Sequence, residues 1–173
     1  MTSDPSATQE CGRSLPSERF KSAFSLIEML VVVAVIGIVA AIGLPSVSRI
    51  NDSATASAVA GNLINFGKAF RAYEKLEGDW PPDNIRGTMP PGVGMEEYIT
   101  ESIFEGTTPV GGNYNWEGPE VHSYAGVSIQ GSTASAEMFI RIDEILDDGN
   151  LNTGYFLRTP NGRYTYVIEW NNP

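Results

Sequence analysis

The polar and apolar positions divide the chain into four stretches. Residues 1–23 are polar, with Pro5, Gly12 and Pro16 among several serines, and a segment of this composition is expected to be disordered. From Phe24 to Ser48 the pattern inverts to FSLIEMLVVVAVIGIVAAIGLPSVS, in which Glu28 is the only charge. At about 1.5 Å per residue, roughly 20 helical residues cross a hydrocarbon core of about 30 Å, and Phe24 to Leu44 has that length. Beyond Ala56 the apolar residues Val59, Leu63, Phe66, Phe70 and Tyr73 recur every three or four positions, with Asn62, Asn65, Lys68, Arg71 and Lys75 between them. That spacing predicts an amphipathic continuation of the same helix, ended by Gly78 with Pro81 and Pro82. A helix from Phe24 to about Glu77 would be roughly 80 Å long. Pro45 removes the hydrogen bond to Ala41, so a kink is expected there.

The remainder, residues 79–173, reads as a small globular head. Residues 79–94 form an irregular loop in which Trp80 packs on the helix. Met95–Phe104 reads as a short helix, Gly106–Gly118 as turn, and Val121–Ile129 as a strand. Ser135 is an N-cap for a helix whose stripe is Met138, Ile142, Ile145 and Leu146. Tyr155–Thr159 and Arg163–Trp170 are β-prone runs joined through Pro160-Asn161-Gly162, a hairpin signal. The predicted fold class is α+β: one long N-terminal helix, half apolar and half amphipathic, packed on a small antiparallel sheet. The domains read as a 1–23 leader, a 24–48 transmembrane helix, its 49–78 continuation and the 79–173 head.

Charge sharpens this picture. Arg13, Arg19 and Lys21 flank the apolar run on its N-terminal side, which places the N-terminus in the cytoplasm and the head outside. The apolar run exceeds the about 7–15 residues of a secretory signal core, and no A-x-A site follows it. A plain signal anchor is the bland reading. Glu28 argues for more, because a carboxylate in an apolar helix costs about 2.5–3.5 kcal/mol on insertion scales and tends to have a partner. No basic residue lies within two turns after it, so the amine of another chain is a candidate.

SAFSLIEMLVVVAVIGIVAAIGLP resembles the N-terminal cleavage and methylation motif of type IV prepilins and type II secretion pseudopilins. The matching residues are Phe24, Ser25, Leu26, Glu28, the Val/Ile/Ala run with Gly37, and Pro45. The resemblance implies a peptidase cut between Ala23 and Phe24 and N-methylation of Phe24. It implies that Glu28, fifth in the mature chain, pairs with the N-terminal amine of a neighbouring subunit. It also implies that the helix unwinds between Gly37 and Pro45 in filaments. The chain departs from the pattern at Ala23, where the family usually has Gly; both are small. The implied partners are a prepilin peptidase, an inner-membrane assembly platform, an assembly ATPase acting through it, and other pilin or pseudopilin subunits. The implied location is the inner membrane, then a periplasmic pseudopilus or an extracellular pilus. Rival readings are an unprocessed, signal-anchored binding domain, and a minor-pilin tip that binds ligand through Trp80 and Trp116.

The rest of the composition narrows the chemistry. A net charge of -10 argues against nucleic acid, which needs clustered Lys and Arg. Cys11, the single cysteine, lies in the leader, so the mature chain is expected to have no disulfide. In DDGNLNTG, residues 147–154, Asp148, Asn150 and Asn152 alternate as in the first half of a calcium loop. The later acid of a full loop is missing, with Thr159 in its place, and D-G-N is also ordinary turn chemistry. Some major pseudopilins of the resembled family hold calcium in their C-terminal region, so the resemblance implies Ca²⁺ as a cofactor to test. His122 is the only histidine and reads as a structural strand residue. Glu96, Glu97, Glu101 and Glu105 read as a solvated acidic face. No phosphate loop, dinucleotide fingerprint or HExxH is present, and no enzyme is expected.

Overall fold

The computed structural model describes residues 25–85, 87–90 and 94–171, the side chains of 42–46 excepted. Helix α1 runs Leu26–Glu77. Ser25 opens it: its hydroxyl accepts the Ile27 N–H at 3.3 Å, and its carbonyl accepts the N–H groups of Glu28 and Met29. Gly78 closes it with a φ of 84°. The backbone is helical throughout that span, Gly37 and Pro45 included, while the kink read at Pro45 falls among side chains outside the described ones. The chain divides into two compact units at Ile42/Gly43.

In the first unit every described side chain of α1 is exposed. Leu26 is 91% exposed and Ile27 73%. In the second unit the amphipathic continuation does what its spacing predicts. Ala56, Val59, Ala60, Leu63, Phe66, Phe70 and Tyr73 are all buried.

A four-stranded antiparallel sheet covers that face. Its strands are β1 (Asn113–Glu117), β2 (Tyr124–Gln130), β3 (Phe156–Arg158) and β4 (Tyr164–Trp170), in the order β1-β2-β4-β3. Helix meets sheet through aromatic rings. Phe70 stacks on Trp116 with centroids 3.9 Å apart, and Phe66 meets Tyr114 edge-on at 4.9 Å. Gly67 permits the close approach: a Cβ there would stand 3.0 Å from the Tyr166 ring. The Arg71 guanidinium donates to the Ile168 carbonyl at 2.6 Å and pairs with Glu169 at 3.0 Å.

Short helices close the remaining sides. Met95–Phe104, expected as one helix, is a 3-10 turn at Met95–Glu97 followed by α2 at Glu101–Phe104. Helix α3 (Ala136–Leu146) begins after Ser135, as read, but its buried face is Phe139, Ile142 and Asp143. Ile145, assigned to that stripe from sequence, is 48% exposed. Phe139 lies flat on Tyr164, with centroids 3.6 Å apart. The Pro160-Asn161-Gly162 hairpin joins β3 to β4 as predicted. Gly106–Gly118, turn-like by composition, contains β1, and Val121 and His122 precede β2 rather than lie in it.

One charge is buried inside the sheet. Glu117 is fully buried; it accepts from Tyr124 Oη at 2.5 Å and pairs with Arg163, which is 32% exposed. Burial, and then the Glu117 hydrogen bond, push the Tyr124 phenol up to about 12, so it remains a donor at physiological pH.

Two outcomes test this packing. Phe70→Ala is expected to lower unfolding stability by about 3–5 kcal/mol, read by tryptophan fluorescence in urea on the full chain in detergent. A loss below about 1 kcal/mol would show that the helix–sheet stack is not the centre of the core. Arg163→Ala strands Glu117 and is expected to cost about 2–3 kcal/mol, discounted from the fully buried case because Arg163 is partly solvated. Adding Glu117→Leu should restore most of it; a double variant no more stable than the single one contradicts the pairing.

Candidate functional site

Two places carry candidate chemistry. The first is the N-terminal turn of α1. Glu28 sits in that first turn, where the helix dipole favours a carboxylate. Among the described residues the ion pairs are Arg71–Glu169 and Arg163–Glu117, so Glu28 has no partner within the chain there. Apolar residues flank it in sequence and continue along the helix, all substantially exposed: Leu26, Ile27, Leu30, Val31, Val33, Ile36, Ile38 and Val39. The cleavage pair Ala23 and Phe24, and the leader before it, lie outside the described residues. Among the described residues no helix is long and apolar enough to cross a membrane. The apolar run with described side chains, Leu26–Ala41, is about 24 Å long, short of a core of about 30 Å. The sequence run Phe24–Leu44 extends past both of its ends.

The second place is the C-terminal end of α3. Asp143 and Asp147 are one helical turn apart, so their side chains share a face, and Asp148 follows directly. One carboxylate oxygen from each lies within 4.8 Å of the other two. Asp143 is fully buried, and neither of its oxygens has a hydrogen-bond partner. Burial, then Asp148, Asp147 and Glu144, raise its pKa to about 6; the nearby Gly149 N–H pulls the other way without reaching hydrogen-bond geometry. Asp147 accepts from the Tyr155 N–H across the loop.

Of the three residues expected to hold calcium, Asp148 joins this cluster. Asn150 and Asn152 face each other instead: Asn150 Oδ1 accepts from the Asn152 backbone at 3.3 Å and from its amide at 3.2 Å. Asp148 holds the turn, accepting the Asn150 N–H at 2.8 Å and the Thr153 hydroxyl at 2.9 Å. The sequence reading overlooked Asp143. Its signal was a lone acid in the apolar stripe of α3, four residues before Asp147.

The other candidates fall elsewhere. His122 is half-buried and stacks on Tyr124 with centroids 5.4 Å apart. Glu96, Glu97 and Glu101 are exposed, while Glu105 accepts the Met89 N–H at 2.9 Å. Trp116 is fully buried, with its indole N–H on the Pro81 carbonyl at 2.8 Å, which removes it as a binding-tip aromatic. Trp80 is partly buried beside it, at 5.6 Å between centroids.

Gly154 provides a local test. Its φ is 81°, and a Cβ there would overlap Asp147 Oδ2. Gly154→Ala is expected to lower stability by about 1–3 kcal/mol and shift the urea midpoint down. An unchanged midpoint would mean that Asp147 is free to move away and the cluster is not held in place.

Residues 19–44 match the prokaryotic N-terminal methylation motif. No curated protein and no solved structure matches the chain significantly. With Ser25 capping the helix, Glu28 in its first turn and the apolar run behind it, the chain carries the leader signature of type IV pilins and pseudopilins.

Proposed function

We propose that the protein is a structural, non-catalytic filament subunit of a type II secretion pseudopilus or a type IV pilus. In this reading a prepilin peptidase cuts before Phe24 and methylates the new amine. The subunit waits in the inner membrane with its head in the periplasm. A membrane platform and its ATPase then draw α1 out of the bilayer into a helical polymer.

The observation that carries this reading is the contrast within α1. The apolar face Ala56–Tyr73 of its second half is buried in the head, while the described side chains of Leu26–Ala41 are exposed. So long an apolar surface is not tolerated in water and calls for lipid or neighbouring copies of the same helix. Glu28 fits both settings. Its carboxylate is costly alone in an apolar surround and far less so beside an ammonium, which the methylated amine of a neighbour would supply. The pairing would also fix register, because only one axial offset brings the two charges together.

Mass spectrometry of the protein from native membranes is expected to find a chain that begins with N-methylated Phe24. Glu28→Ala is expected to leave processing and head stability unchanged and to reduce recovery in sheared or secreted filaments at least tenfold. A chain that retains residues 1–23 beside an active peptidase would sink the reading in favour of a signal-anchored domain. Normal filament yield from Glu28→Ala would remove Glu28 from assembly.

A further inference from the structure

The hairpin between β3 and β4 holds chemistry that filament assembly does not use. Asn161-Gly162 at its tip is the one Asn-Gly step in the sequence. Both residues are exposed, and Gly162 has no side chain to shield its backbone nitrogen. That nitrogen can therefore reach the side-chain amide carbon of Asn161 and close a succinimide ring. The turn also aims donors at the amide oxygen. Asn161 Oδ1 accepts from the Thr159 hydroxyl at 2.6 Å and from the Arg163 N–H at 3.2 Å. Attack at Cγ moves negative charge onto Oδ1, so both donors sit where charge develops, as in an oxyanion hole. The Thr159 hydroxyl is itself held in place: Thr159 is buried, and its oxygen lies 3.2 Å from Thr165 Oγ1. One contact opposes the step. The Gly162 N–H donates to the Thr159 carbonyl at 2.8 Å, so this bond must open first, at an exposed tip where local opening costs least.

We propose that Asn161 is a self-modification site, converted through a succinimide to aspartate and isoaspartate, with the Thr159 hydroxyl and the Arg163 N–H as promoting donors. The Gly162 nitrogen bonds to Asn161 Cγ and gives up its proton, and the side-chain nitrogen leaves as ammonia. Water then adds to one of the two imide carbonyls. Opening at one restores the main chain and gives aspartate. Opening at the other routes the main chain through Cβ and gives isoaspartate. Water is the only co-reactant. Either product puts a carboxylate in the turn that carries Arg163, and isoaspartate also lengthens that turn by a methylene. Arg163 is the partner of the buried Glu117, so the mark falls beside the residue that ties this hairpin to β1. The proposal rests on the head alone and does not depend on how α1 assembles.

The test ages the full chain in detergent under warm, mildly alkaline conditions. Peptide mass spectrometry reads conversion at each asparagine from the mass gained when the amide nitrogen is replaced by oxygen. Labelling with an isoaspartyl methyltransferase and its methyl donor separates isoaspartate from aspartate. Wild type is expected to convert at Asn161 ahead of the other described asparagines, with isoaspartate among the products. Thr159→Val keeps the side-chain shape and removes one donor; it is expected to slow conversion at least about threefold in the folded protein. In urea, where the turn is lost, it is expected to convert at the wild-type rate. A hairpin merely loosened by the substitution would convert faster, not slower. Gly162→Ala supplies a second variant should the first fail to fold. Its added Cβ meets nothing within 4 Å, although a φ of 82° disfavours any side chain. By hindering the nucleophile it is expected to slow conversion at least about tenfold. A wild-type protein that stays unmodified at Asn161 overturns the proposal. So does a wild-type rate in either folded variant, or an equal slowing of Thr159→Val in urea.

Discussion

The structure depends on one apolar stripe, Ala56 to Tyr73 on α1, and on the need to keep water from it. A lone helix with so many aromatic and aliphatic groups on one face has little stability of its own. The sheet supplies the missing cover. Phe70 on Trp116, Phe66 against Tyr114 and Phe104, and Gly67 beneath Tyr166 bring the two layers into direct contact. The other helices and the loop through Pro81 fill the edges around this seam. The head is thus organised about the second part of α1, while the described apolar side chains of Leu26–Ala41 are exposed.

Two buried carboxylates make an instructive pair. Glu117 and Asp143 are both fully buried. Glu117 sits in a finished network with Tyr124 and Arg163, so its charge is accounted for within the sheet. Asp143 has two more carboxylates beside it and no donor. The same physics that makes the first a settled structural group leaves the burial of the second uncompensated among the described residues.

Much of this was legible in the chain itself. The three- and four-residue spacing from Val59 to Tyr73 gave the buried face of α1, because helix geometry leaves few alternatives once five large apolar residues align. The hairpin was equally clear, since Pro160-Asn161-Gly162 separates two β-prone runs. Strand β1 was hidden by its neighbours: Gly111, Gly112 and Gly118 are turn residues, and the five residues between them are too few to show alternation. In α3 the stripe Met138, Ile142 and Leu146 does pack on the core, but Ile145 is exposed, and the pattern omits the buried Phe139 and Asp143. An acid is not expected on a buried face, so pattern reading passes over Asp143. The pairing of Asp143 with Asp148 is a property of how the helix ends, which sequence spacing does not encode.

The strand order has a temporal consequence. β4 is the last of the described elements along the sequence, yet it lies between β2 and β3 in the middle of the sheet. As the polypeptide is made from its N-terminus, α1 comes first and the strand that joins the two halves of its cover comes after the others. Until residue 170 is free, β2 lacks one neighbour and β3 has none. The stripe on α1 stays open to solvent throughout that interval. During synthesis the helix is therefore presented before the sheet that shields it is complete, and its stripe is the surface on which the later strands assemble.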